Sequence, residues 1–134
     1  MTKRLIILII AFLCIFSQIY ATKSPTQMQE TFELQEKLLE YPKYVLSALK
    51  KAYPEKSIWA FSGYLFDKDI LAGRLGPAEI TNELIGYLDV LVDGPFIMEK
   101  KDLSLRFRGS SNQRLIDVPA SVKTGQIVLW QDWQ

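Results

Sequence analysis

Two apolar runs, each ending on a polar residue and a glycine, constrain the fold more than anything else in the chain. Residues 57–61 read SIWAF and lead into Ser62-Gly63-Tyr64; residues 88–92 read LDVLV and lead into Asp93-Gly94-Pro95. Both are short, rich in branched and aromatic residues and closed by turn formers, which predicts strands. Between them, residues 77–87 have proline at the first turn and Ile80, Leu84 and Tyr87 on one face, which predicts a helix. Two more strands are expected at 115–118 and 126–130, with Lys123-Thr124-Gly125 as the turn before the last. Strands separated by helices imply βαβ units, hence an α/β fold with mainly parallel strands. In such sheets ligands sit beyond the carboxyl ends of the strands. Chemistry is therefore expected at Ser62-Gly63 and Asp93-Gly94.

The upstream half has a different character. Residues 28–40 place Met28, Phe32, Leu34, Leu38 and Leu39 near helical spacing, and Pro42 should break that helix. A second helix over 43–52 would bury Val45, Leu46, Ala48 and Leu49 and leave Lys43, Lys50 and Lys51 in solvent. Residues 22–27 (TKSPTQ) read as a linker. Residues 1–21 begin with Lys3 and Arg4, continue through twelve apolar residues from Leu5 to Phe16 and reach Ala21 before polar Thr22. That order fits a secretory signal peptide. The run is short for a membrane span, and an uncleaved anchor, a buried apolar helix or a foreign or frameshifted start are the alternatives. The chain thus divides into a signal-like segment (1–21), a linker and helical region (22–53) and an α/β portion (54–134).

Composition excludes several chemistries. The 134 residues include no histidine and one cysteine, Cys14. Without histidine there is no Ser-His-Asp or Cys-His catalysis and no His-ligated metal. One cysteine closes no intrachain disulfide and holds no zinc or iron–sulfur centre alone. Within its apolar run Cys14 reads as a small hydrophobe. Sixteen Lys and Arg against fifteen Asp and Glu give a net charge of +1, no footprint for nucleic acid. No catalytic residue and no metal ligand set is assigned.

The densest polar stretch is Arg108-Gly109-Ser110-Ser111-Asn112-Gln113-Arg114. Glycine permits close backbone approach, hydroxyls and exposed N–H groups can hold an anion, and arginine can bind one bidentately. The same composition also fits an Asx or Ser turn with solvated arginines. Asp93-Gly94 could accept hydrogen bonds from an amine or ribose, or could simply turn the chain. Gly63 could leave room for a flat ligand. Trp59, Trp130 and Trp133 are expected in packing.

Together these stretches resemble one family. Ile58–Tyr64 (IWAFSGY) is similar to its I-W-x-[YF]-[TS]-G-Y strand end, Asp89–Phe96 (DVLVDGPF) to its D-V-L-V-D-G-x-F, and Lys101-Asp102 with Arg108–Arg114 to its K-D…R-G-S-S-N-Q-R. The family is the anaerobic ribonucleoside-triphosphate reductase activating protein, a radical S-adenosylmethionine activase. The resemblance, over about residues 54–130, implies a partial α/β barrel, here a fragment of one preceded by the N-terminal apolar helix. It implies a 4Fe-4S cluster that cleaves S-adenosylmethionine and a glycyl radical made on the anaerobic reductase as partner, in the cytoplasm. It also implies that Ser62, Gly63, Asp93 and Gly94 face S-adenosylmethionine, and that the loop from Arg108 through Gly109, Ser110, Ser111, Asn112 and Gln113 to Arg114 meets cofactor or partner. The departure is the missing C-x-x-x-C-x-x-C and the glycine-rich stretch after it. The expectation is a chain inactive by itself. The alternatives are a non-catalytic binding module or a truncated product, with strand 57–61 left as an exposed edge prone to self-association.

Overall fold

The computed structural model describes residues 5–9 and 42–131. Leu5–Ile9 form β1, residues 42–52 the helix α1, and Ser57–Phe61 β2. Ala78–Gly86 form α2, Val90–Asp93 β3, Arg114–Asp117 β4 and Val118–Thr124 α3. One π-helical turn, Phe66–Ile70, follows β2, and one 3-10 turn, Met98–Lys100, follows β3.

The sheet order is β1-β2-β3-β4. β1, β2 and β3 run parallel, with Ile7 opposite Trp59 and Ala60 opposite Leu91. β4 returns antiparallel, with Asp93 opposite Arg114 and Leu91 opposite Ile116. The predicted α/β class and mainly parallel sheet hold. The described strands make an open mixed sheet, and no closure into a barrel is seen among them.

Strand alternation sorts the side chains onto two faces. Ile58, Ala60, Leu91 and Ile116 pack with Leu46 of α1, Ile85 of α2, Val118 of α3 and Phe66 and Ile70 of the π-helical turn. Trp59, Val90 and Val92 form the opposite face with Phe61, Leu115 and Trp130. Burial on both faces is why these strands read as apolar runs rather than alternating ones. The Trp59 ring lies 4.8 Å from Trp130 and 4.9 Å from Phe107, in edge and tilted contacts that aromatic quadrupoles favour.

Several expectations need correction. Residues 5–9 of the apolar run are a strand and not part of an N-terminal helix; residues 10–41, with Cys14, the linker and the helix expected over 28–40, lie outside the described residues. Strand 57–61 is not an unpaired edge, because β1 pairs with it along its whole length. In α1 only Leu46 is fully buried, with Leu49 packed behind it, while Val45 and Ala48 face outward. Lys50 is not a solvated charge: its Nζ reaches Asp89 Oδ2 at 2.7 Å, and the same oxygen accepts the Ile58 N–H. The helix α3 was missed. Its signals were present: Asp117 caps it through the Ala120 N–H, Pro119 lies in its first turn, and Gly125 ends it at φ 69°. Residues 126–130 make only a bridge at Leu129 beside β4, not a full strand.

Deleting residues 1–9 should uncover the edge of β2. The expected outcome is a lower thermal midpoint and aggregation on size exclusion. A truncated chain as soluble and as stable as the full one would contradict the β1–β2 pairing.

Candidate functional site

The two predicted turns lie side by side because β2 and β3 are parallel neighbours ending together. The Ser62 N–H donates to Val92 O at 3.2 Å and the Gly94 N–H to Tyr64 O at 2.9 Å, which joins Ser62-Gly63-Tyr64 to Asp93-Gly94. The Ser62 hydroxyl donates to Tyr64 O at 2.9 Å and accepts the Tyr64 N–H at 3.2 Å, a local Ser turn.

Antiparallel pairing then carries β4 back against this end, and three consecutive side chains of residues 112–114 grip three consecutive residues of the β3 end. Asn112 Nδ2 donates to Pro95 O at 2.7 Å, and Gln113 Nε2 to Gly94 O at 3.2 Å. Arg114 donates through Nε and Nη2 to the two oxygens of Asp93, a bidentate pair. Asp93 is 0% exposed and also accepts the Phe66 N–H at 2.9 Å. Gln113 completes the loop: its Oε1 accepts the N–H groups of Gly109 at 3.0 Å and Ser110 at 3.2 Å. Arg108 Nη1 donates to Gln113 O at 2.6 Å. The Ser110 hydroxyl accepts the Ile97 N–H at 3.3 Å. The structure therefore brings together every predicted site residue except exposed Ser111, which joins the loop through its backbone, its N–H donating to Lys100 O at 2.9 Å.

Two glycines are explained by this packing. Gly94 sits at φ 85°, in the left-handed region, and a Cβ there would already touch the 112–113 backbone at 3.7–3.8 Å. Gly109 lies under the Phe96 ring, where a Cβ would come within 3.0 Å. One buried polar atom has no partner among the described residues, Asn112 Oδ1.

The sequence reasoning missed Asp67, whose Oδ1 accepts from Arg114 Nη2 at 2.8 Å. Arg114 thus bridges two carboxylates, and they raise its pKa further above the ordinary arginine value. The Arg114 hydrogen bond holds Asp67 below the usual aspartate range. A depressed carboxylate contributes stability above its unfolded pKa and loses it as pH falls through the folded value. Asp67 is exposed, so the contribution is small. Asp67→Asn should slightly weaken the fold at neutral pH and remove that part of its acid sensitivity. Thermal midpoints between neutral pH and the carboxylate range test this; identical pH profiles for variant and wild type would contradict the pairing.

Also missed was Phe107, at φ 62° on the Trp59–Trp130 pair. Nothing in the local sequence signals a left-handed phenylalanine. Among the described residues no three His, Cys, Asp or Glu side chains are grouped to hold a metal, and no helix is long and apolar enough to cross a membrane.

Comparison with known proteins adds the ancestry. The chain is 40% identical over 65 residues to an anaerobic ribonucleoside-triphosphate reductase-activating protein of Haemophilus influenzae, covering 48% of this chain and 37% of that one. It is 38% identical over 72 residues to the protein of that name from Vibrio cholerae, covering 52% and 39%. It is 37% identical over 73 residues to the one from Enterobacteria phage T4, covering 53% and 38%. The match therefore spans under two-fifths of each of these relatives. No solved structure matches. The family described as 4Fe-4S single cluster domain matches residues 30–116, more than half of the chain. That match spans β2, β3 and the loop that clamps them, and the chain belongs to the 4Fe-4S single cluster domain family.

Proposed function

We propose that the chain is the C-terminal part of an activating protein for anaerobic ribonucleotide reductase, and that it binds the reductase without generating the radical itself. The open sheet is read as a piece of the family's partial α/β barrel. The reading rests on one observation above the rest: the strand ends and the Arg108–Arg114 loop that carry the resemblance are organised around each other, while the cluster ligands are not there to organise.

A 4Fe-4S cluster does not fit this chain. Cluster ligation needs several thiolates, and the sequence has one cysteine. The residues expected to face S-adenosylmethionine are also spent within the fold. Both Asp93 oxygens take Arg114, the Ser62 hydroxyl is closed on Tyr64, and the space beside Gly94 holds residues 112–113. Ser62, Gly63, Asp93 and Gly94 then act as the scaffold of the strand end. Arg108, Gly109, Ser110, Asn112, Gln113 and Arg114 act as its clamp, and the surface beyond them meets the partner. No chemical step is assigned to the chain.

The test is binding. Purified full-length chain should form a complex with purified anaerobic ribonucleotide reductase in sedimentation or calorimetry, at concentrations where an unrelated α/β domain does not. Absence of any complex would contradict the proposal.

A further inference from the structure

We infer that residues 103–107 form a strap that closes over the second face of the sheet by seating Phe107 on Trp59 and Trp130, and that swings away as a unit to bare Trp59. That face carries buried Trp59, Val90 and Val92, with Trp130 packed against them. Phe107 reaches it from the connection between β3 and β4. Its ring centroid lies 4.9 Å from that of Trp59 and 6.0 Å from that of Trp130. The device belongs to the fold and does not depend on whether the chain meets the reductase.

The two roots of the strap are fixed beside each other. Lys101 bridges to Ser110, and the Asp102 N–H donates to Gly109 O at 3.1 Å. Arg108 Nη1 donates to Gln113 O at 2.6 Å, which ties the second root to the clamp. Between the roots, the N–H and hydroxyl of Ser104 both donate to Asp102 Oδ1, and the Leu105 N–H reaches Asp102 O at 3.4 Å. These bonds run to the strap's own root and not to the sheet. The Arg106 guanidinium lies 5.6 Å from the ring of its neighbour Phe107, a contact that travels with the strap. Leu103 is 87% exposed. The ring of Phe107 is what joins this span to the second face.

Two effects oppose each other at Phe107. Its φ of 62° is the one left-handed value at a non-glycine among the described residues. A bulky side chain takes that conformation only against backbone strain. The edge and tilted contacts with the two tryptophans favour the seated ring. That gain is partial, because the seated ring is still 38% exposed. Opening gives up the aromatic contacts and relaxes the backbone, so the closed state is held by a small difference. A short segment with fixed roots and a marginal anchor opens locally while the rest of the fold stays in place. Closing covers Trp59 and opening presents it.

Limited trypsin digestion of the full chain tests the strap, with fragments identified by mass. Cleavage after Arg106 reads opening, and cleavage after Lys50 in α1 reads unfolding of the whole. When closing outruns cleavage, the rate follows the open population. Phe107→Ala should speed cleavage after Arg106 by about tenfold, the scale of a lost aromatic contact. Trp130→Ala, which leaves the strap's own sequence unchanged, should speed it in the same direction. Leu103→Ala, on the strap but pointing to solvent, should leave it as in wild type. In Phe107→Ala, cleavage after Lys50 and the thermal midpoint should stay near wild type. Unchanged cleavage after Arg106 in both aromatic variants would overturn the inference, because the ring would then not hold the strap. Equal acceleration after Lys50 and Arg106 would overturn it as well, because opening would then be global unfolding.

Discussion

Arg114→Ala should cost about 3 kcal/mol of stability, the cost of stranding a buried charge. Asp93 is fully buried and would keep only the Phe66 N–H. In a domain of this size the thermal midpoint should fall by on the order of 10 °C. Removing both charges should cost less than removing one, because a buried pair replaced by neutral groups leaves nothing uncompensated. Asp93→Asn with Arg114→Leu keeps an acceptor for Phe66 and should recover part of the loss. Thermal melts of the single and double variants decide it. A cost for Arg114→Ala within about 0.5 kcal/mol, as for an ordinary surface residue, would show that the clamp does not hold the strand end.

Gln113→Ala should cost about 2–3 kcal/mol. Its amide satisfies the Gly109 and Ser110 N–H groups and Gly94 O, and an orphaned buried group costs about 1–3 kcal/mol. Ser110 and Gly94 are buried, so water replaces little there, whereas exposed Gly109 finds solvent. Ser111→Ala, in the same loop but exposed, should change stability by less than about 0.5 kcal/mol. Urea unfolding of the two variants makes the comparison. Equal midpoints would mean that the loop contributes nothing through its side chains.

These two expectations show where the sequence was readable. The strands at 57–61 and 88–92 were legible because their side chains pack on both faces, which leaves an apolar run, and the helix after Pro77 was legible from its spacing. The turns after the strands were correctly paired in importance, since parallel neighbours end together. What the loop residues do was not legible. Arg108–Arg114 has the composition of an anion site, yet its groups close on the chain's own backbone and on Asp93, because β4 returns antiparallel and aligns Asn112, Gln113 and Arg114 with Pro95, Gly94 and Asp93. That alignment is a long-range register, and composition carries no trace of it. Asp67 escaped notice for the same reason: it meets Arg114 across 47 positions of sequence. β1 was not expected as a strand, because an apolar run such as LIILI carries no periodicity that tells a strand from a helix.

If the chain keeps the family scaffold and holds no cluster, anaerobic reconstitution of the purified full-length chain with iron and sulfide, followed by metal analysis and addition of reductant and S-adenosylmethionine, will show it. The expected result is no bound iron after desalting, no iron–sulfur absorption and no 5′-deoxyadenosine. Stoichiometric iron with a cluster spectrum and formation of 5′-deoxyadenosine would contradict it.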